Sequence, residues 1–125
     1  YEIMSAPTTA QDAAVVALTT AEQDVQRMVN EYDRRRRMFV EALRRLGLAT
    51  LEPRGAFYAF PRISGTGLSS QQFSERLLFE GQVAVIPGDS FGPAGAGHVR
   101  ASYATDYGRL EEAVGRIGRF LDTLG

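Results

Sequence analysis

The sequence predicts an α+β domain: a small antiparallel or mixed sheet covered by helices on one face and preceded by one long helix. Three patterns carry that prediction. Residues 20–46 hold a helical apolar period with no breaker before Gly47. Short apolar or aromatic runs at 56–60, 83–86 and 98–103 are bounded by proline or glycine. Residues 107–124 then return to a helical period.

Each element has its own local reason. Thr8 or Thr9 is the expected cap of a first, alanine-rich helix carrying Gln11, Ala13, Ala14, Val15, Ala17 and Leu18, after an extended lead-in over residues 1–7. Its alanine content predicts close packing. Thr20 with Gln23 three residues on reads as a capping box that opens the long helix. That helix has an apolar stripe of Val25, Met28, Val29, Tyr32, Phe39, Leu43 and Leu46. At about 1.5 Å per residue it would be on the order of 38 Å long, more than a small domain's diameter, so it is expected to bridge two bodies.

Leu48 to Leu51 form a candidate short strand, Pro53-Arg54-Gly55 a turn, and residues 56–60 a stronger strand ended by Pro61. Ser69 and Gln72 write a second capping box, opening a helix with Phe73, Leu77 and Leu78 inside and Gly81 as its stop. Residues 83–86 read as a continuous apolar strand closed by Pro87-Gly88. A glycine-rich loop over 89–97 leads to the strand at 98–103. The last helix buries Leu110, Ala113, Val114, Ile117, Leu121 and Leu124.

Composition removes several function classes. With 125 residues, 44% hydrophobic and 23% charged, the chain can bury one domain's core, which excludes disordered and low-complexity classes. A formal net charge of -1 argues against phosphate-backbone binding, so nucleic acid is not an expected partner. No cysteine and a single His98 exclude a thiolate or multi-histidine metal site and fit a reducing, cytoplasmic setting. No apolar run approaches the roughly 18 to 20 residues of a membrane span. The chain begins at Tyr1 rather than Met and is expected to be the tail of a longer polypeptide. All fourteen basic residues are arginine, so this chain offers no lysine for a Schiff base or a P-loop.

Three constellations bear on chemistry. The run Arg34, Arg35, Arg36 and Arg37 spreads around a helix beside Glu31, Asp33 and Glu41, and reads as a salt-bridged face rather than an anion patch. Arg36 falls on the apolar stripe, so its stem is expected to pack while its head finds a carboxylate. The loop from Gly88 to Gly97 lacks the dinucleotide spacing and a following helix, so it reads as a turn or flap rather than a phosphate cradle. Two-residue alternation puts His98, Arg100 and Ser102 on one strand face and Val99, Ala101 and Tyr103 on the core face. A guanidinium on a rigid strand can grip a carboxylate by two parallel hydrogen bonds, or can pair with a cross-strand carboxylate of the protein itself. A nucleophilic triad of His98 with Ser90 or Ser102 and Asp89 or Asp106 lacks any supporting motif.

Five segments in order carry a resemblance. They are Ala6-Pro7 with Gln11-Asp12-Ala13-Ala14; Tyr32-Asp33-Arg34-Arg35-Arg36; Pro53-Arg54-Gly55-Ala56-Phe57-Tyr58-Ala59-Phe60-Pro61; Val83-Ala84-Val85-Ile86-Pro87-Gly88 with Phe91-Gly92; and His98-Val99-Arg100-Ala101-Ser102-Tyr103-Ala104. Together they resemble the C-terminal portion of class I/II pyridoxal-phosphate-dependent aminotransferases of fold type I. The resemblance implies the tail of a large domain at residues 1–20, a connecting helix at 21–47 and a small domain at 48–125. It implies that Arg100 binds the substrate's α-carboxylate, that Phe57 lies close to the substrate, and that Ser90 and Phe91 sit at the active-site rim. No catalytic, cofactor-binding or metal-ligating residue is assigned to this chain. The Schiff-base lysine and most cofactor contacts are expected upstream, so the chain alone should be inactive. Amino-acid and 2-oxo-acid substrates, the missing large domain and a homodimer are the implied partners, with the loop after Pro7 near the dimer interface. Two other classes share the pattern: a non-catalytic binding or interaction module, and a lyase or synthase of the same fold.

Overall fold

The computed structural model describes residues 5–125, so most of the lead-in lies outside the described residues. The chain divides into two compact units, one ending at Glu31 and one running from Tyr32 to Gly125.

In the first unit, helix α1 (Thr8–Thr20) starts at Thr8, so its cap lies one residue before the first of the expected caps, Thr8 and Thr9. Pro7 is the N-cap and its carbonyl accepts from the N–H groups of Ala10 and Gln11, so no threonine hydroxyl caps it. The packing expected of its alanines is not seen among the described residues: none of the helix's residues is buried, and Leu18 is 88% exposed. The capping box expected at Thr20 is also absent. The Thr20 hydroxyl donates back to the Val16 carbonyl at 2.9 Å, which keeps Thr20 inside α1. Only Ala21 separates α1 from helix α2 (Glu22–Arg45). In the early part of α2, Val25, Met28 and Val29 are exposed.

In the second unit, α2 buries Phe39, Val40 and Leu43 and ends at Gly47, whose φ of +81° suits glycine. Strand β1 is only Tyr58–Ala59, helix α3 is Ser70–Gly81, strand β2 is Ile86–Pro87, strand β3 is Val99–Ser102, and helix α4 is Tyr107–Asp122. The sheet order is β1-β3-β2 with both pairings antiparallel. Tyr58 faces Ser102, Ala59 faces Ala101, Ile86 faces Arg100 and Pro87 faces Val99. One sheet face buries Ala59, Val99 and Ala101, with Tyr103 just beyond β3, in a core shared with Phe39 and Leu43 of α2, Phe73 and Leu77 of α3, and Leu110, Ile117 and Phe120 of α4. This is the α+β architecture that the sequence predicts.

The strands are shorter than their apolar runs. Residues 48–51 make no strand, because Ala49 accepts one isolated bond from the Arg62 N–H and no ladder forms around it. The strand expected at 56–60 begins two residues late because Ala56 adopts φ +55°, which is incompatible with extended pairing. Residues 83–85 are unpaired, and only Val83 and Val85 pack on the core, while Ile86 is exposed.

Helix ends follow local chemistry more closely. Ser69 and Gln72 form the expected reciprocal capping box, an arrangement worth about 1 kcal/mol. The left-handed residue that stops α3 is Gln82 rather than Gly81. Gly81 is instead a packing glycine, since a Cβ there would lie 2.8 Å from Leu77 Cδ1. Leu78 turns outward and is 47% exposed, whereas Phe73 and Leu77 are buried as expected. Asp106 caps α4 by accepting from the N–H groups of Gly108 and Arg109.

The glycine-rich loop folds into two short 3-10 turns, Gly88–Phe91 and Pro93–Gly95, that close on each other. Gly88 donates its N–H to the His98 carbonyl at 2.9 Å. A Cβ on Gly95 would stand 1.9 Å from the Gly88 carbonyl oxygen, and one on Gly88 would stand 2.2 Å from that of Gly95. Backbone therefore meets backbone, leaving no cradle between the turns. Gly95→Ala is expected to destabilise the protein by about 1–3 kcal/mol through this overlap, read as a lower denaturant midpoint. An unchanged midpoint would contradict the close approach.

Candidate functional site

The pleat of β3 builds the site. Val99 and Ala101 point into the core, so Arg100 and, just outside the strand, His98 are half-buried on the opposite face beside exposed Ser102. On β1 the same alternation puts Tyr58 on that face while Ala59 is buried. Phe60 follows Tyr58 at the two-residue step and stacks on the His98 ring, with centroids 5.4 Å apart. Phe91, in the first 3-10 turn, meets Phe60 edge-on at 6.4 Å.

Arg100 sits among these rings. Its guanidinium carbon lies 4.3 Å from the Tyr58 centroid and 4.4 Å from the Phe91 centroid, over the ring in each case. Among the described residues no carboxylate lies within salt-bridge reach of Arg100, and no acceptor takes a hydrogen bond from its guanidinium. The cross-strand ion pair open to a strand arginine is thus not made with any described group. A planar cation over ring faces keeps its N–H edge available, so the arrangement suits bidentate capture of an anion such as a carboxylate.

Phe57 is reached from the other side of Tyr58. Its ring lies 4.7 Å from that of Tyr58 and stacks on Tyr32 of α2 at 5.9 Å. Its backbone is held by Tyr103, whose N–H donates to the Phe57 carbonyl at 2.9 Å and whose hydroxyl donates to the Ala56 carbonyl at 3.2 Å. These two bonds clasp the turn in which Ala56 takes its left-handed conformation, which costs a non-glycine residue about 1–2 kcal/mol. Burial pushes the Tyr103 phenol above its ordinary value, so the hydroxyl remains a donor through neutral pH.

Behind the turn, ion pairs fasten α2 to the segment that follows it. Arg36 donates from Nε and Nη2 to Asp33 at 3.0 and 2.6 Å and also pairs with Glu52, its side chain 20% exposed as expected of a packed stem with a paired head. Arg37 adds a 2.5 Å contact to Asp33. Arg44 pairs with Glu52 at 3.0 Å and donates to the Thr50 carbonyl at 2.9 Å. Hydrogen bonds from Arg36 and then Arg37 hold the Asp33 carboxyl below its ordinary value. Arg34 lies over the Tyr107 ring at 4.0 Å. The arginine run is thus a paired and stacked face.

The structure brings Arg100, Phe57, Tyr58 and Phe91 into one aromatic neighbourhood, with Ser90 exposed in the same turn as Phe91. It does not assemble a nucleophilic triad. The Ser102 hydroxyl accepts from the Ala104 N–H, Asp106 caps α4, and His98 Nδ1 lies 3.1 Å from the Ala96 carbonyl. Tyr58 is the residue that sequence reading passed over, although its two-residue step to Phe60 was the signal for it. Among the described residues, no group of three or more acidic or histidine side chains is arranged to hold a metal ion. In the same set, no helix is long and apolar enough to cross a membrane.

Comparison with known proteins places this geometry in context. A family model for aminotransferase class I and II matches residues 2–117. The chain is 55% identical over 97 residues to aspartate aminotransferase of Pyrococcus abyssi, covering 78% of this chain and 25% of that protein. It is 46% identical over 125 residues to aspartate aminotransferase of Pyrococcus horikoshii, covering 98% of this chain and 32% of that protein. Among solved structures, the aromatic aminotransferase of Pyrococcus horikoshii superposes with a TM-score of 0.82 at 51% identity, over 84% of this chain and 28% of the other. The chain thus spans about a quarter to a third of the length of these relatives.

Two measurements check the clasp and the ion pairs. Tyr103→Phe removes the half-buried hydroxyl bond to the Ala56 carbonyl and is expected to cost about 1 kcal/mol in denaturant unfolding, whereas equal stability would mean the hydroxyl bond is not made. Asp33 has a folded-state pKa below its unfolded value, so its contribution is full above the ordinary carboxylate range and fades as pH falls through the folded value. Asp33→Asn should therefore be less stable than the parent at pH 7, with the gap closing in acid. A gap that stays constant with pH would contradict the charge-assisted bonds.

Proposed function

Because the chain belongs to the class I and II aminotransferases, we propose that it is the substrate-gripping portion of a pyridoxal-phosphate-dependent aminotransferase, with Arg100 binding the α-carboxylate of amino-acid and 2-oxo-acid substrates. The observation that carries this reading is the Arg100 guanidinium, turned away from the core onto an aromatic surface and taken up by no described carboxylate. A structural arginine in this chain looks different: Arg36, Arg44 and Arg76 each hold a carboxylate of the same unit. Phe57, 37% exposed beside Tyr58, is the nearby ring expected against the substrate.

The residues of this chain do not fit covalent attachment of the cofactor, since the sequence has no lysine. When bound elsewhere in the enzyme, pyridoxal phosphate supplies an electron sink for bonds at the substrate's α-carbon. The part played here is binding and orientation: a two-pronged grip on the carboxylate fixes the α-carbon relative to the reacting groups. On this reading residues 1–20 are the tail of a large domain, 21–47 the connecting helix and 48–125 the small domain, and the chain alone is inactive. The apolar side chains left exposed on α1 and early α2, among them Val15, Val16, Val25 and Met28, support a covering partner of that kind.

Arg100→Lys in the full-length enzyme tests the grip. One point charge replaces a planar fork, and KM for the amino acid is expected to rise by about tenfold or more. An unchanged KM in steady-state assays would reject Arg100 as the carboxylate site.

A further inference from the structure

Arginine has a long, flexible stem, and a grip that must be assembled at every encounter loses affinity to the ordering of that stem. The Arg100 stem has no described ion pair to order it, yet its head is placed by two rings. We propose that Tyr58 and Phe91 are positioning residues for Arg100, holding the guanidinium over their ring faces so that its N–H edge is presented to a carboxylate before the ligand arrives. This rests on the reading of Arg100 as the carboxylate-binding group.

The topology supports it from both sides of the central strand. Tyr58 lies on β1, opposite Ser102 and therefore diagonal to Arg100, at the distance where a long side chain reaches a ring. Phe91 comes from the other edge. β2 pairs with β3 at Ile86 and Arg100 and runs straight into the turn that carries Phe91. That turn is fixed by the backbone contact of Gly88 with Gly95, and the ring is backed by Phe60, itself stacked on His98. Phe91 is 52% exposed, so its ring is not simply core filling. Stacking is also the kind of support a binding arginine needs, because a protein carboxylate would occupy the N–H edge that the substrate must use.

The probes are 3-phenylpropionate, which offers a carboxylate without an amino group, and its amide, which has the same shape without the charge. Binding of both to the full-length protein is measured by calorimetry for the parent, Phe91→Leu, Phe91→Tyr, Tyr58→Leu, Tyr58→Phe and Arg100→Lys. Each leucine variant is expected to weaken the acid about 2- to 5-fold, the range of an exposed cation–ring contact, and to leave the amide unchanged. Phe91→Tyr and Tyr58→Phe keep a ring and should retain parental affinity for the acid. Equal losses on acid and amide, or no loss on the acid, would overturn the positioning role. If Arg100→Lys weakens the acid while both leucine variants are silent, the positioning role fails and the carboxylate site stands. If Arg100→Lys is also silent, both fail.

Discussion

A β-strand allows a side chain two destinations, and in β3 the pairing on both edges fixes which residues take which. Ala101 opposite Ala59 and Val99 opposite Pro87 lock the register, so Val99 and Ala101, with Tyr103 following at the same step, go to the helices and Arg100 goes to the far face. A slip of one residue would drive a guanidinium into a core of Phe39, Leu43, Phe73 and Ile117 and expose a buried tyrosine. Core packing and the outward placement of Arg100 are thus two faces of a single constraint. The helices that cover one sheet face stabilise the placement of Arg100 on the other.

That constraint is reinforced by how this protein uses its arginines. Most of those with described partners are tied to carboxylates at helical spacing, as in Arg36 with Asp33, Arg76 with Glu80 and Arg116 with Glu112. In each pair the N–H groups are spent on the protein's own charges. Around Arg100 aromatic rings stand where a carboxylate could have been, and rings attract a cation without competing for its hydrogen bonds. The difference is one of neighbours rather than residue type. The Tyr103 clasp on the turn bearing Phe57 serves the same surface, converting a strained Ala56 into a fixed starting point for β1.

The elements legible in the sequence are those whose cause is local. The Ser69 and Gln72 capping box, the glycine that ends α2, the α4 stripe and the alternation along β3 all follow from interactions within a few residues. Strand extents were less legible. An apolar run such as 83–86 shows that side chains suit a sheet, but pairing needs a partner strand whose position depends on the chain elsewhere. The Thr20 hydroxyl had two acceptable uses, a cap or a back-bond to Val16, and sequence spacing alone does not choose between them.

The sequence by itself determined the α+β class, the face of β3 that carries Arg100, and membership of the aminotransferase family, because alternation, capping and ordered motifs are written in neighbouring residues. Only the tertiary structure decided what surrounds that arginine. Tyr58 and Phe91 stand 42 and 9 residues away from it and meet it through the β1-β3-β2 order and the closed glycine turns. The physical reason is that contacts between strands depend on register and crossover, which are set by burying one sheet face as a whole rather than by any short stretch of chain.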